Sequence, residues 1–148
     1  MVINLVSNRR TEPSKALGVV RIMLGIMFVM TGVMKYSVPM LWNAWSGQLR
    51  AGGIPFYELN LYLVPAIEII VGTLLILGIY SRIGSLVTIF MMVVATYVHI
   101  VADDPNLFPL QPHLPIIPIA AIAMGAYILM GGGGSWSKDL SSGIDQAR

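Results

Sequence analysis

Four long apolar blocks dominate this chain and leave it few ways to fold. They cover residues 16–34, 59–79, 84–102 and 114–130, each between 17 and 21 residues long. A helix rises about 1.5 Å per residue, so roughly 20 residues cross a ~30 Å hydrocarbon core with their backbone polar groups bonded internally. Charged residues make up 11% of the chain and hydrophobic ones 56%, whereas an ordinary soluble domain carries about 25% charged residues. Lipid is therefore the expected solvent. The sequence predicts an all-α integral membrane protein, a four-transmembrane-helix bundle forming a single membrane domain over residues 1–148, with polar tails at 1–15 and 131–148.

The few charges orient the bundle. Arg9, Arg10 and Lys15 precede the first block, Arg82 sits in the turn between the second and third, and Lys138 follows the fourth. Asp103 and Asp104 lie in the loop between the third and fourth. Basic residues collect on the cytoplasmic side of short loops, which places both termini inside. Lys35 and Arg50, in the first outer loop, count against that orientation without reversing it. The first block is too long for a secretory leader and has no small-x-small cleavage site close behind it. No basic patch is dense enough to bind nucleic acid. With no cysteine, thiolate catalysis, iron–sulfur clusters and thiolate metal sites are excluded within the chain.

Thr11-Glu12-Pro13-Ser14 forms a plausible start for the first helix, with Pro13 suited to its first turn. Gly18, Gly25 and Gly32 recur every seven residues, and Arg21, Phe28 and Lys35 interleave with them on the same face. A glycine stripe lets a neighbouring helix approach closely, so this face is expected inside. Residues 36–58 hold Trp42, Trp45, Phe56 and Tyr57 around Gly52-Gly53-Ile54-Pro55, predicting a short interfacial helix and a turn between helices 1 and 2. That segment reads either as an aromatic belt or as a lid over a pocket. The second block carries Glu68 near its centre, with Pro65 and Gly72 about one turn to either side. In the third, Ser85, Thr88, Met92, Thr96 and His99 share one mildly polar stripe. The fourth enters through Pro109, Pro112, Pro115 and Pro118 and continues in small residues before Gly131–Gly134.

Arg21 and Glu68 are the candidate intramembrane pair, since a charge in the hydrocarbon core costs about 2.5–3.5 kcal/mol and usually finds a partner. The alternative is that Arg21 reaches the headgroups along its apolar stem and Glu68 is simply neutral. A buried carboxylate beside polar groups suits proton-coupled quinone chemistry or ion movement; it also serves merely to lock helix register. His99 and Tyr97, with Tyr62, Trp42 and Trp45, would border a planar ligand such as a quinone head. His99 and His113 are the minimum for axial ligation of haem, but one hairpin gives poor opposing geometry, and haem is not expected. Adjacent Asp103 and Asp104 in a loop read as solvated, so no metal site is expected. Gly131–Gly134 is not followed by the Lys-Ser/Thr of a phosphate loop.

Certain strings resemble a known family. Arg21-Ile22-Met23-Leu24-Gly25-Ile26-Met27-Phe28, followed by Gly32-x-x-Lys35, resembles the first helix of the DoxX family. Glu68-x-x-x-Gly72-x-Leu74-Leu75-x-x-Gly78 resembles its second, and Gly131–Gly134 with Ser135-Trp136-Ser137-x-Asp139 its glycine-rich end. The likeness runs over roughly residues 16–140. It implies a multi-pass protein of the bacterial or archaeal cytoplasmic (inner) membrane, related to the DoxD/DoxX membrane subunits of quinone-linked oxidoreductases such as thiosulfate:quinone oxidoreductase. Arg21, Lys35 and Glu68 carry over as its intramembrane polar network.

Three functions are expected from these residues together with the resemblance. The first is a subunit associated with a redox or respiratory complex that binds quinone and handles its protons, while a partner supplies the electron-transfer centre. The second is a non-catalytic accessory subunit that stabilises a larger membrane complex, or a homo-oligomer. The third is a small-molecule or ion transporter, which lacks the inverted repeat common to such folds. The chain is expected to hold no cofactor of its own and not to be catalytic alone.

Overall fold

A computed structural model describes residues 11–102, 104–109, 111–112 and 114–141. Among these the chain is helical, with no strand. Helices α1 (Lys15–Ser37), α2 (Pro39–Ala51), α3 (Tyr57–Leu77) and α4 (Ser81–Ala102) are followed by a short 3-10 helix at Pro105–Leu107, then α5 (Ile116–Gly131) and α6 (Lys138–Ser141). The readings that involved Arg9, Arg10, Asp103, His113 and the tail beyond 141 fall outside the described residues.

Three helices, α1, α3 and α4, are long and apolar enough to cross a membrane. The fourth expected block forms α5, of 16 residues, about 24 Å at the usual rise. It starts two residues later than expected because Pro115 occupies its N-cap. Ser14 caps α1, its Oγ accepting from the Leu17 amide, so Pro13 lies just outside the first turn rather than in it. The aromatic stretch between the first two blocks does form a helix, α2, and a left-handed Gly53 turns the chain after it.

The glycine stripe of α1 faces inward as its spacing implies. A Cβ on Gly25 would fall 2.7 Å from the Gly72 carbonyl oxygen, and one on Gly72 would fall 2.7 Å from that of Gly25. The two backbones touch there. Gly32 lies against the Pro65 carbonyl and Arg21 against that of Ile76, so α1 and α3 run antiparallel in a single register. This is the most extensive helix pair; α4 with α5 is the next. Leu24, Phe28, Val71, Leu75, Ala121 and Ile128 form the apolar core where α1, α3 and α5 meet. Gly72→Val is expected to force α1 and α3 apart and cost about 1–3 kcal/mol, read as a lower unfolding midpoint in detergent. An unchanged midpoint would mean that the register is held elsewhere.

Helix α2 lies across one end of this bundle, touching α1, α3, α4 and the 3-10 helix. Pro65 explains one of its anchors. Proline has no N–H, so the Leu61 carbonyl one turn earlier loses its helical donor. The Trp45 indole N–H fills that vacancy at 3.1 Å. Gln48 donates to the Leu107 carbonyl, and the Ser46 and Tyr57 hydroxyls meet at 2.7 Å.

Candidate functional site

The α1–α3 register decides which charges meet. Arg21 and Glu68 do not pair. Lys35, in the last turn of α1, reaches back along the helix and places Nζ 2.6 Å from Glu68 Oε1. The Lys35 ammonium also lies 4.3 Å from the centre of the Trp45 ring, a cation–π contact under the α2 roof. Glu68 is 4% exposed, and its second oxygen, Oε2, is buried with no hydrogen-bond partner. A buried acceptor without a donor costs free energy. That oxygen is therefore the one position at this pair where a further proton or donor gains most.

Arg21, fully buried, answers backbone instead. Its Nε donates to the Gly133 carbonyl at 2.6 Å, Nη1 to the Ile76 carbonyl at 2.8 Å and to that of Leu75, and Nη2 to Ser135 at 3.4 Å. Leu75 and Ile76 lie in the last turn of α3, whose carbonyls lack partners within the helix; the Gly78 amide also donates to that of Leu75 at 3.1 Å. A guanidinium placed there satisfies them and complements the negative end of the helix dipole. Gly78 makes room for it. At φ 66° it turns the chain left-handed, and a Cβ there would fall 3.0 Å from the Arg21 Cζ.

The opposite charge caps the next helix. Both carboxylate oxygens of Asp139 accept at 2.8 Å, one from the Tyr80 amide and one from that of Ser81, at the start of α4. The Asp139 amide returns a bond to the Gly78 carbonyl at 2.9 Å. Residues 131–141 thus form a clasp: Arg21 closes it on the end of α3 and Asp139 on the beginning of α4. Arg82, expected in the turn between the second and third blocks, is buried in the first turn of α4, with Nη2 beside Gly132.

The ligand residues expected from sequence are dispersed. His99 is buried at the end of α4, stacked on Phe108 at 4.0 Å with its Nε2 3.2 Å from the Pro112 carbonyl. Tyr97 lies on another face of α4 and is 51% exposed. Trp45 covers Lys35. Trp42 stacks on Tyr36 at 6.1 Å and meets Tyr62 tilted by 48° at 5.4 Å, and the Tyr36 hydroxyl donates to the Tyr62 carbonyl. These three rings with Ser37, Pro39 and Asn43 line an open cleft of about 400 Å³. Tyr36 is chemically adjacent to Lys35, and Tyr62 is six residues before Glu68, about 9 Å along α3. The cleft therefore stands at the α2 end of the bundle, lined by neither Lys35 nor Glu68.

Sequence reasoning missed two features. The sequence places Lys35 in the polar network without pairing it with Glu68; its shared face with Gly32, which touches Pro65, is the available signal. The capping role of Asp139 had only the Ser-x-Asp string to indicate it. Among the described residues no cluster of His, Asp and Glu is arranged to hold a metal ion.

Comparison with known proteins agrees with this architecture. A sequence model of the DoxX family matches residues 16–100, which contain Arg21, Lys35, Glu68 and nearly all of the first three long helices. No curated protein and no solved structure gives a match. The matched segment is more than half of the chain, and the protein is a multi-pass membrane protein that belongs to the DoxX family.

Proposed function

We propose that this protein is the membrane subunit of a quinone-linked redox assembly, in which the aromatic cleft takes a quinone ring and the Lys35–Glu68 pair handles its protons. The observation that carries this reading is the buried Glu68 carboxyl, bonded to Lys35 through one oxygen and unpartnered at the other. Such a group can accept a proton at Oε2 while Lys35 holds Oε1 in place. An open cleft of about 400 Å³, edged by the Tyr36, Trp42 and Tyr62 rings, lies at the same α2 end of the bundle. The electron donor belongs to another polypeptide, because quinone reduction needs electrons that tyrosine, lysine and glutamate do not supply.

In this reading α5 completes a four-span bundle of the bacterial or archaeal cytoplasmic membrane, with both termini inside. Lys15, Arg82 and Lys138 then lie at the cytoplasmic end, and Arg50 at the outer one. Lys35 no longer weighs against the orientation, since its charge is paired within the bundle.

The test is quinone reduction by native membranes containing the protein and its partners. Glu68→Gln is expected to lower turnover by about a hundred-fold, the usual loss of a positioned acid–base group. Organic extracts of the purified wild-type assembly are expected to contain quinone. An assembly without quinone, and turnover indifferent to the substitution, would overturn the reading. That result would favour an accessory subunit, a role supported by Arg21, whose hydrogen bonds all go to backbone carbonyls.

A further inference from the structure

We infer that Glu68 is accessible from the α2 end of the bundle only, and that the other end is insulated from it by a dry layer closed with the Arg21 clasp. This deepens the proton-handling reading and rests on it for its purpose, but the access itself follows from packing. The Arg21 guanidinium is anchored at Leu75 and Ile76, seven and eight residues beyond Glu68 on α3, and so about 10–12 Å away along the helix.

The space between them is filled. Gly25 and Gly72 bring the α1 and α3 backbones into contact, so no channel separates those helices at this level. Leu24, Phe28 and Leu75 are at most 1% exposed, and Ile128 of α5 is fully buried against them. Ser81 Oγ, buried without a partner, lies beside Gly133 at the clasp end, and the two buried hydroxyls deeper in α4 offer no relay. Ser85 Oγ donates to the Arg82 carbonyl at 2.9 Å, and Thr88 Oγ to that of Gly84 at 3.0 Å. Both hydrogens are thus committed to their own helix. Beyond this layer stands Arg21, a fixed positive charge that repels an approaching proton or cation.

The α2 end differs in kind. Lys35 is 18% exposed in its side chain, so the polar pair begins where the apolar layer stops. The Trp45 ring, carried on the short helix α2, lies over that ammonium. Helix α2 is flanked by the non-helical Val38 and the Gly52–Gly53 turn, and its far side is held by the Gln48–Leu107 bond and the Ser46–Tyr57 contact. A proton exchanged at Glu68 therefore enters and leaves on the side of the aromatic cleft, where a quinone head would lie.

The absence of cysteine makes the experiment direct, since an introduced thiol is the only one present. In oriented membrane vesicles, Arg50→Cys marks the α2 end and Ser141→Cys the clasp end. Glu68→Cys is treated from each side with a small, membrane-impermeant, cationic methanethiosulfonate, and modification is followed by mass. We expect modification at least ten-fold faster from the side that labels Arg50→Cys. Glu68→Cys combined with Lys35→Met removes both charges together and is measured alongside, which keeps the result readable where the single variant fails to insert. Equal rates, faster modification from the Ser141→Cys side, or no modification from either side would each overturn the inference. Because the readout is access rather than turnover, its failure is distinct from failure of the quinone reading.

Discussion

Truncating Lys35 to alanine is expected to destabilise the protein by about 3–5 kcal/mol, the usual cost of breaking a buried ion pair by removing one partner. The carboxylate left behind would sit in a bundle 4% exposed, with both oxygens rather than one lacking a donor. The cation–π contact to Trp45 would be lost as well, adding about 0.5–2 kcal/mol. The double variant Lys35→Met with Glu68→Leu is expected to unfold close to wild type, because exchanging a whole buried pair for apolar groups of similar size is often neutral. Circular dichroism during detergent-induced unfolding measures both. Equal losses in the single and double variants would show that the pair contributes packing rather than charge. A stable but inactive double variant would place the value of the pair in its chemistry.

The second large effect is expected at Arg21. Its hydrogen bonds carry charge, and such bonds contribute about 1.5–3 kcal/mol each, with sums that are not additive. Arg21→Ala is therefore expected to cost about 3–5 kcal/mol and to release residues 131–141 from the ends of α3 and α4. Arg21→Lys should recover less than half of this, since an ammonium has no planar fork to span carbonyls on two segments. Limited proteolysis separates local from global loss. Trypsin cleavage at Lys138 is expected to accelerate about ten-fold in Arg21→Ala, before the remaining helices unfold. Cleavage at the wild-type rate would mean that Asp139 and the backbone contacts hold the clasp without Arg21.

Much of the fold was legible because hydropathy and periodicity are local properties. The helices α1, α3 and α4 follow from blocks that must satisfy their backbone internally in lipid, and the inward face of α1 follows from Gly18, Gly25 and Gly32. Helix α2 was legible too, because its aromatic residues and the Gly-Gly-Ile-Pro turn exclude a continuous span. The Lys35–Glu68 pairing was not legible. Depth within a span is known from sequence only to about a turn, and the long stem of Lys35 covers more than that distance.

Residue composition and spacing determined that this protein is helical, membrane-embedded and lined by a few charges on its inner faces. Only the tertiary structure decided which charges meet. The Gly25–Gly72 contact sets the register of α1 on α3, and that register puts Lys35, 33 residues away in sequence, on Glu68. It likewise sends Arg21 to the carbonyls of Leu75 and Ile76 and, across 112 residues, to Gly133. A helix forms from bonds four residues apart, but a charge pair depends on how two backbones slide past one another, and that is settled by packing.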